Sequence, residues 1–245
     1  MVSVAFLVLL LVAAVLAGAT ASVVGFGIGS LLTPLLATRV GMPAAVAAVT
    51  LPHAAATALR CWRLRGAIDW PVLRRFGLPS AAGGLAGALL HGRLGGSTLT
   101  AVLGALLVLT ALANLSGLAS RWHPHGAMVP LLGFLSGGFG GVAGNQGGLR
   151  AAALAAFPLG PAAFVATATA TGLIVDAARL PVYVWQTPAT FRTLVAPIGA
   201  LTVGVVAGTL LGERALLGIP PARFRQVVAG AIGVLGIWLL ATVLT

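Results

Sequence analysis

The chain contains no lysine, one cysteine and three acidic residues, Asp69, Asp176 and Glu213, among its 245 positions. Without lysine there is no phosphate loop of the Walker type. With Cys61 alone there is no internal disulfide framework, and its place between Arg60 and Trp62 reads as an inert thiol. The acids lie too far apart in sequence to pair, and neither H-E-x-x-H nor G-x-S-x-G occurs. That leaves little to build an enzyme from, so neither catalysis nor a cofactor or metal is expected. Charge is scarce as well: 7% of residues are charged, with a mean hydropathy of +1.09, against about 25% in soluble domains.

What remains is an integral membrane protein, all α-helical. All fourteen basic residues are arginines, giving a net charge of +11. They are scattered between apolar segments without a basic face, which argues against nucleic acid and for topology signals and site residues. A spanning helix needs about 20 apolar residues. The apolar segments run over 2–24, 29–38, 43–59, 76–92, 98–118, 128–142, 149–157, 161–184, 193–212 and 224–244. Ala19-Thr20-Ala21 resembles a signal-peptide cleavage site, but no basic region precedes it and the apolar run continues beyond, so the first segment reads as a retained helix.

Two segments, 29–38 and 149–157, are too short to cross. Each follows a glycine cluster, "GFGIGS" at 25–30 and "GNQGG" at 144–148. A shift of 118 places Gly27-Ile28-Gly29-Ser30 on Asn145-Gln146-Gly147-Gly148, and Pro43 on Pro161. Further on, a shift of 121 places Gly83 and Gly87 on Gly204 and Gly208. Both copies carry Gly-xxx-Gly, which lets helix backbones approach closely, within one chain or between chains of a homo-oligomer. The chain therefore divides into a first repeat (1–118), a central loop (119–127) and a second repeat (128–245). Each repeat is expected to hold a broken, re-entrant helical hairpin plus three spanning helices.

Residues 60–75 hold five arginines, which places that loop in the cytoplasm. Three crossings between equivalent loops would invert the second repeat, an arrangement common in secondary transporters. Cytoplasmic loops then carry Arg60, Arg63, Arg65, Arg74, Arg75, Arg121, Arg214, Arg223 and Arg225. External loops carry only Arg93 and Arg192. Arg39, Arg150 and Arg179 are left at or inside apolar segments. Arg39 reads as a snorkelling residue at an interface.

Irregular backbone inside a membrane is tolerated only where protein or a water-filled cavity covers it. Each glycine break frees N–H groups at the start of a short helix, whose dipole favours an anion. Gly27, Gly29, Ser30, Gly147 and Gly148 would supply such donors, and Arg150 adds a full charge. Arg150 either contacts an anionic substrate or binds orphan helix-end carbonyls. Asn145 and Gln146 either hydrogen-bond the substrate or cap the flanking helices. Asp176 and Arg179 share a helix face. They form a structural pair, or Arg179 meets the anion while Asp176 takes up a coupling proton. His53, equivalent to Thr171, is a second proton and binding candidate. Gly138-Phe139-Gly140-Gly141-Val142-Ala143 fits a loose dinucleotide pattern but lacks the preceding strand. His123 and His125, around Pro124, read as solvated rather than as metal ligands.

On "GFLSGGFGGVAGNQGGLRAAAL" (133–154), "AFVATATATGLIVDAARLPVYV" (163–184) and "RGAIDW" (65–70), the chain resembles the TauE/SafE-like sulfite exporters. The resemblance implies a transporter of small sulfur-containing anions, such as sulfite or organosulfonates (sulfoacetate, for example), working outward across the bacterial inner membrane. One departure is the first cluster, Gly25-Phe26-Gly27-Ile28-Gly29-Ser30, where many members carry consecutive glycines; Ser30 adds a hydroxyl. Movement of the two halves is the expected carrier mechanism. An anion channel on the same scaffold is the alternative, since glycine-rich re-entrant breaks also make filters.

Overall fold

The computed structural model describes residues 3–116, 124–154, 157–215 and 221–244. Every regular element among them is helical. The first series runs α1 (Val4–Val24), α2 (Ile28–Val40) and α3 (Met42–Leu64). After a single 3-10 turn come α4 (Trp70–Val72), a π-turn (Leu73–Gly77) and α5 (Leu78–His91), one continuous helical rod, and then α6 (Gly96–Leu115). The second series is α7 (Met128–Ala143), α8 (Gly147–Leu154), α9 (Pro161–Gln186), α10 (Pro188–Thr193), α11 (Val195–Ala215) and α12 (Pro221–Leu244). Among the described residues, six helices are long and apolar enough to cross a membrane: those over 4–22, 42–67, 96–115, 161–186, 195–212 and 226–244.

Local chemistry explains where these helices begin and end. Ser3 caps α1 by accepting from the Phe6 N–H at 3.3 Å. Asp69 caps α4 by accepting from the Val72 N–H at 2.9 Å, and its own N–H donates to the Thr167 hydroxyl of α9. The helices that lead into the two breaks both end on a left-handed glycine, Gly25 at φ 84° and Gly144 at φ 73°. A side chain with a Cβ is strained there, so the breaks are written into the backbone.

The element ends are spaced regularly. α1 stops at 24 and α7 at 143; α2 starts at 28 and α8 at 147. Both pairs differ by 119, one more than the shift that superposes Pro43 on Pro161. The discrepancy has a simple cause: Pro43 is the second residue of α3 and Pro161 the first of α9. Proline suits any position in the first turn of a helix and does not fix register.

Packing follows the same correspondence. α1 lies on α11 and α7 on α5, while α3 packs on α9 and α6 on α12. Helix α5 also meets α9, as α11 meets α3. The two Gly-xxx-Gly faces are used inside the chain. A methyl group at Gly83 would sit 1.9 Å from the Phe134 carbonyl oxygen, and at Gly87 2.1 Å from that of Gly138. On the other side, a methyl at Gly208 would sit 2.0 Å from the Val15 carbonyl oxygen. Backbone-to-backbone contact of this kind requires glycine.

Arg60 departs from expectation. It lies within α3 and is 3% exposed, so it is not a loop residue. Its guanidinium donates to the Ala21 carbonyl of α1, and that partner lets the helix continue past the apolar segment ending at 59. The topology count loses one arginine from the cytoplasmic side. Arg39 is exposed and stacks on the Phe6 ring, 5.2 Å from its centroid, as a snorkelling residue would. Arg121 and His123 lie outside the described residues, as do the side chains of Glu213, Arg214, Arg223 and Arg225.

Candidate functional site

The two glycine breaks touch each other. A Cβ at Gly29, in the first turn of α2, would be 2.5 Å from the Gly144 carbonyl oxygen; one at Gly147 would be 2.3 Å from Phe26 Cβ. The Ser30 hydroxyl donates to Asn145 Oδ1 at 3.4 Å across the junction. Gly27, at φ 132°, completes the first break, against the Thr20 methyl. Gly148 packs against Thr110 of α6, where a Cβ would lie 2.0 Å from the threonine methyl. Glycine there permits the close fit.

Arg150 lies at the fourth position of α8, its N–H bonded to the Gln146 carbonyl at 2.9 Å. Its guanidinium rests on Gly172 of α9, where an added Cβ would be 2.8 Å from Nη1. The residue is 2% exposed, yet its Nε and Nη1 make no hydrogen bond. Both polar atoms of the Gln146 side chain, 3% exposed, are likewise unpartnered. The hydroxyls of Thr33 and Thr169 share that condition. Among the described residues no ion pair involves Arg150. A buried cation with unspent donors and no carboxylate carries a desolvation cost that an anion would offset.

A second cluster spans α3 and α9. His53 Nδ1 lies 2.5 Å from Asp176 Oδ2, and Arg179 donates from Nε and Nη2 to Asp176 Oδ1 at 3.0 and 2.8 Å. Asp176 is fully buried and shared by both, so the Asp176–Arg179 pair is formed. Thr57 Oγ1 stands 3.4 Å from His53 Nδ1. The two clusters meet at Gly140: Arg179 Nη1 donates to its carbonyl at 2.5 Å, and the Gln146 side chain fills the space a Cβ there would take.

Three participants are not apparent from sequence reasoning. Arg60 mirrors Arg179: the spacing of 119 that links the helix ends also links these arginines and their acceptors, Ala21 and Gly140. A shift of 118 hides that match. Tyr183, the only tyrosine, donates to the Gly141 carbonyl. His91 approaches the Val142 carbonyl. Three successive carbonyls at the end of α7 are thus each held by a side chain from another helix. The Gly141 and Val142 carbonyls are of the kind a helix leaves orphaned at its C-terminus, while that of Gly140 also accepts the Gly144 N–H.

Nearly the whole chain has a counterpart among known families. The family model described as "Sulfite exporter TauE/SafE" matches residues 10–239, and the chain belongs to that family. Comparison with curated proteins and with solved structures returns no match.

Proposed function

We propose, on the premise of that membership, that the chain is a secondary transporter exporting small sulfur-containing anions such as sulfite or an organosulfonate across the bacterial inner membrane. The observation that carries the reading is the buried guanidinium of Arg150 with Nε and Nη1 unspent. An oxyanion head placed there accepts from Arg150, from the Gln146 amide and from the N–H groups at the starts of α2 and α8. Asn145, Ser30, Gly27, Gly29, Gly147 and Gly148 shape the junction. Arg179 and His53 stand behind it, and Asp176 with His53 takes the coupling proton.

The two series are inverted repeats, 1–118 and 128–245. Because α1 packs on α11 and α7 on α5, the bodies that move past each other are mixed bundles, each drawing helices from both repeats. A carrier suits the burial of the site better than a channel does. Arg150, Gln146 and Asp176 are 2%, 3% and 0% exposed, whereas a pore needs a continuous water path.

The test is thermal stabilisation of the purified chain by sulfite, sulfoacetate, sulfate and chloride, beside Arg150→Ala. A ligand that binds the folded state raises Tm by mass action. A shift confined to sulfite or sulfonates and lost in the variant is the expected result. A shift that survives in Arg150→Ala moves the site elsewhere, and no shift with any of the four overturns the substrate class.

A further inference from the structure

His91 ends α5, is 1% exposed, and presents both ring nitrogens to backbone carbonyls of two other helices. Nδ1 is 2.8 Å from the Val142 oxygen at the end of α7, and Nε2 is 3.2 Å from the Pro43 oxygen in the first turn of α3. A carbonyl oxygen only accepts, and a neutral imidazole has one N–H. The neutral ring therefore satisfies one carbonyl and turns a lone pair toward the other. The protonated ring donates to both.

We infer that His91 is a proton-binding site, separate from His53 and Asp176, whose proton ties the end of α7 to the start of α3. The surroundings favour the cation in one respect: the ring sits at the C-terminus of α7, the negative end of the helix dipole. No other titratable side chain comes from α5, α6 or α7, nor from the first eleven residues of α3, 42–52. From α9, Tyr183 meets the ring edge-on at 5.1 Å between centroids; Arg179, paired with Asp176, holds the neighbouring Gly140 carbonyl. Val142 stands two residues before the left-handed Gly144, so the tie reaches the break that carries Gln146 and Arg150.

The experiment is nitrogen NMR of the full chain in nanodiscs with labelled histidine, titrated between about pH 5 and 8, where an imidazole changes charge. His91 is assigned by difference from His53→Gln, His123→Gln and His125→Gln. Amide exchange at Ala45 and Gly144, whose N–H groups bond the Gly41 and Gly140 carbonyls, is followed alongside. Both ring nitrogens should reach the protonated, hydrogen-bonded state together. As they do, the protection factor at both amides (exchange corrected for the intrinsic change of rate with pH) should rise about tenfold, the effect of one added charged hydrogen bond, while that of Leu99 in α6 stays unchanged. In His91→Gln the pH dependence of the protection factors at Ala45 and Gly144 should vanish. A ring that keeps one neutral tautomer across the range, or amides indifferent to its protonation, would overturn the inference. Neither readout depends on anion binding, so the substrate assignment can fail without this one.

Discussion

Arg60 and Arg179 make the same contact at the two breaks: each donates to the carbonyl four residues before the left-handed glycine that ends its neighbour helix. Arg60 holds Ala21 ahead of Gly25, and Arg179 holds Gly140 ahead of Gly144. The same carbonyls accept the N–H of Gly25 and Gly144. Each arginine is thus a brace on a helix end that water cannot reach. Arg179 is in addition neutralised by Asp176.

Loss of one brace should loosen one break. Arg60→Ala is expected to raise amide exchange at Gly25 by about tenfold or more, the loss of one charged hydrogen bond. Gly144 should stay unchanged. Site-resolved hydrogen exchange on the two glycines checks this, and equal changes at both would contradict it.

Arg150 should behave as a residue kept for function against stability. Replacing it with Met removes a buried, unpaired charge and should leave ligand-free Tm equal or higher, by about 1 kcal/mol or more in stability. Anion affinity should fall about 10- to 100-fold, as expected when one charged hydrogen bond is lost. Arg150→Lys keeps the charge without the planar fork and should be intermediate. Melting with and without sulfite separates the two effects.

Asp176 should show the opposite pattern. Asp176→Asn leaves Arg179 buried without its counter-charge, a loss of about 3–5 kcal/mol. Adding Arg179→Met should recover part of it. A double-mutant cycle on unfolding measures the coupling, and strictly additive losses would mean that the pair is not energetically linked.

The glycine faces give a contrast within one residue type. Gly87→Ala drives a methyl into the Gly138 carbonyl and should destabilise by about 1–3 kcal/mol or more through overpacking. Gly199 lies in α11 with nothing within 4 Å of an added Cβ. There alanine should gain about 0.5–1 kcal/mol, because glycine is the poorer helix residue. Paired melting curves decide.

The breaks were legible in the sequence because glycine clusters and over-short apolar runs leave few other readings, and Ser30, Asn145, Gln146 and Arg150 do converge there. Helical spacing puts Asp176 and Arg179 on one face but leaves open whether they pair; the ion pair is seen only in the structure. Their link to His53 is not legible in the sequence, because it joins residues 123 apart on two helices. Arg60 reads as a loop signal for a physical reason: it stands at the edge of an apolar run, and its carbonyl partner is 39 residues away. His91 is not legible in the sequence because a histidine that bonds only backbone leaves no motif.

The packing of α1 on α11 and α7 on α5 bears on how the chain is made. Helix α1 finds its main partner only when residue 195 and beyond have been synthesised. Until then its glycine-bearing face lies against lipid or a temporary neighbour, and assembly waits on contacts of very large sequence separation, the slow kind. A first half made alone would lack the partner of α1, while two halves produced as separate polypeptides would each hold what the other needs.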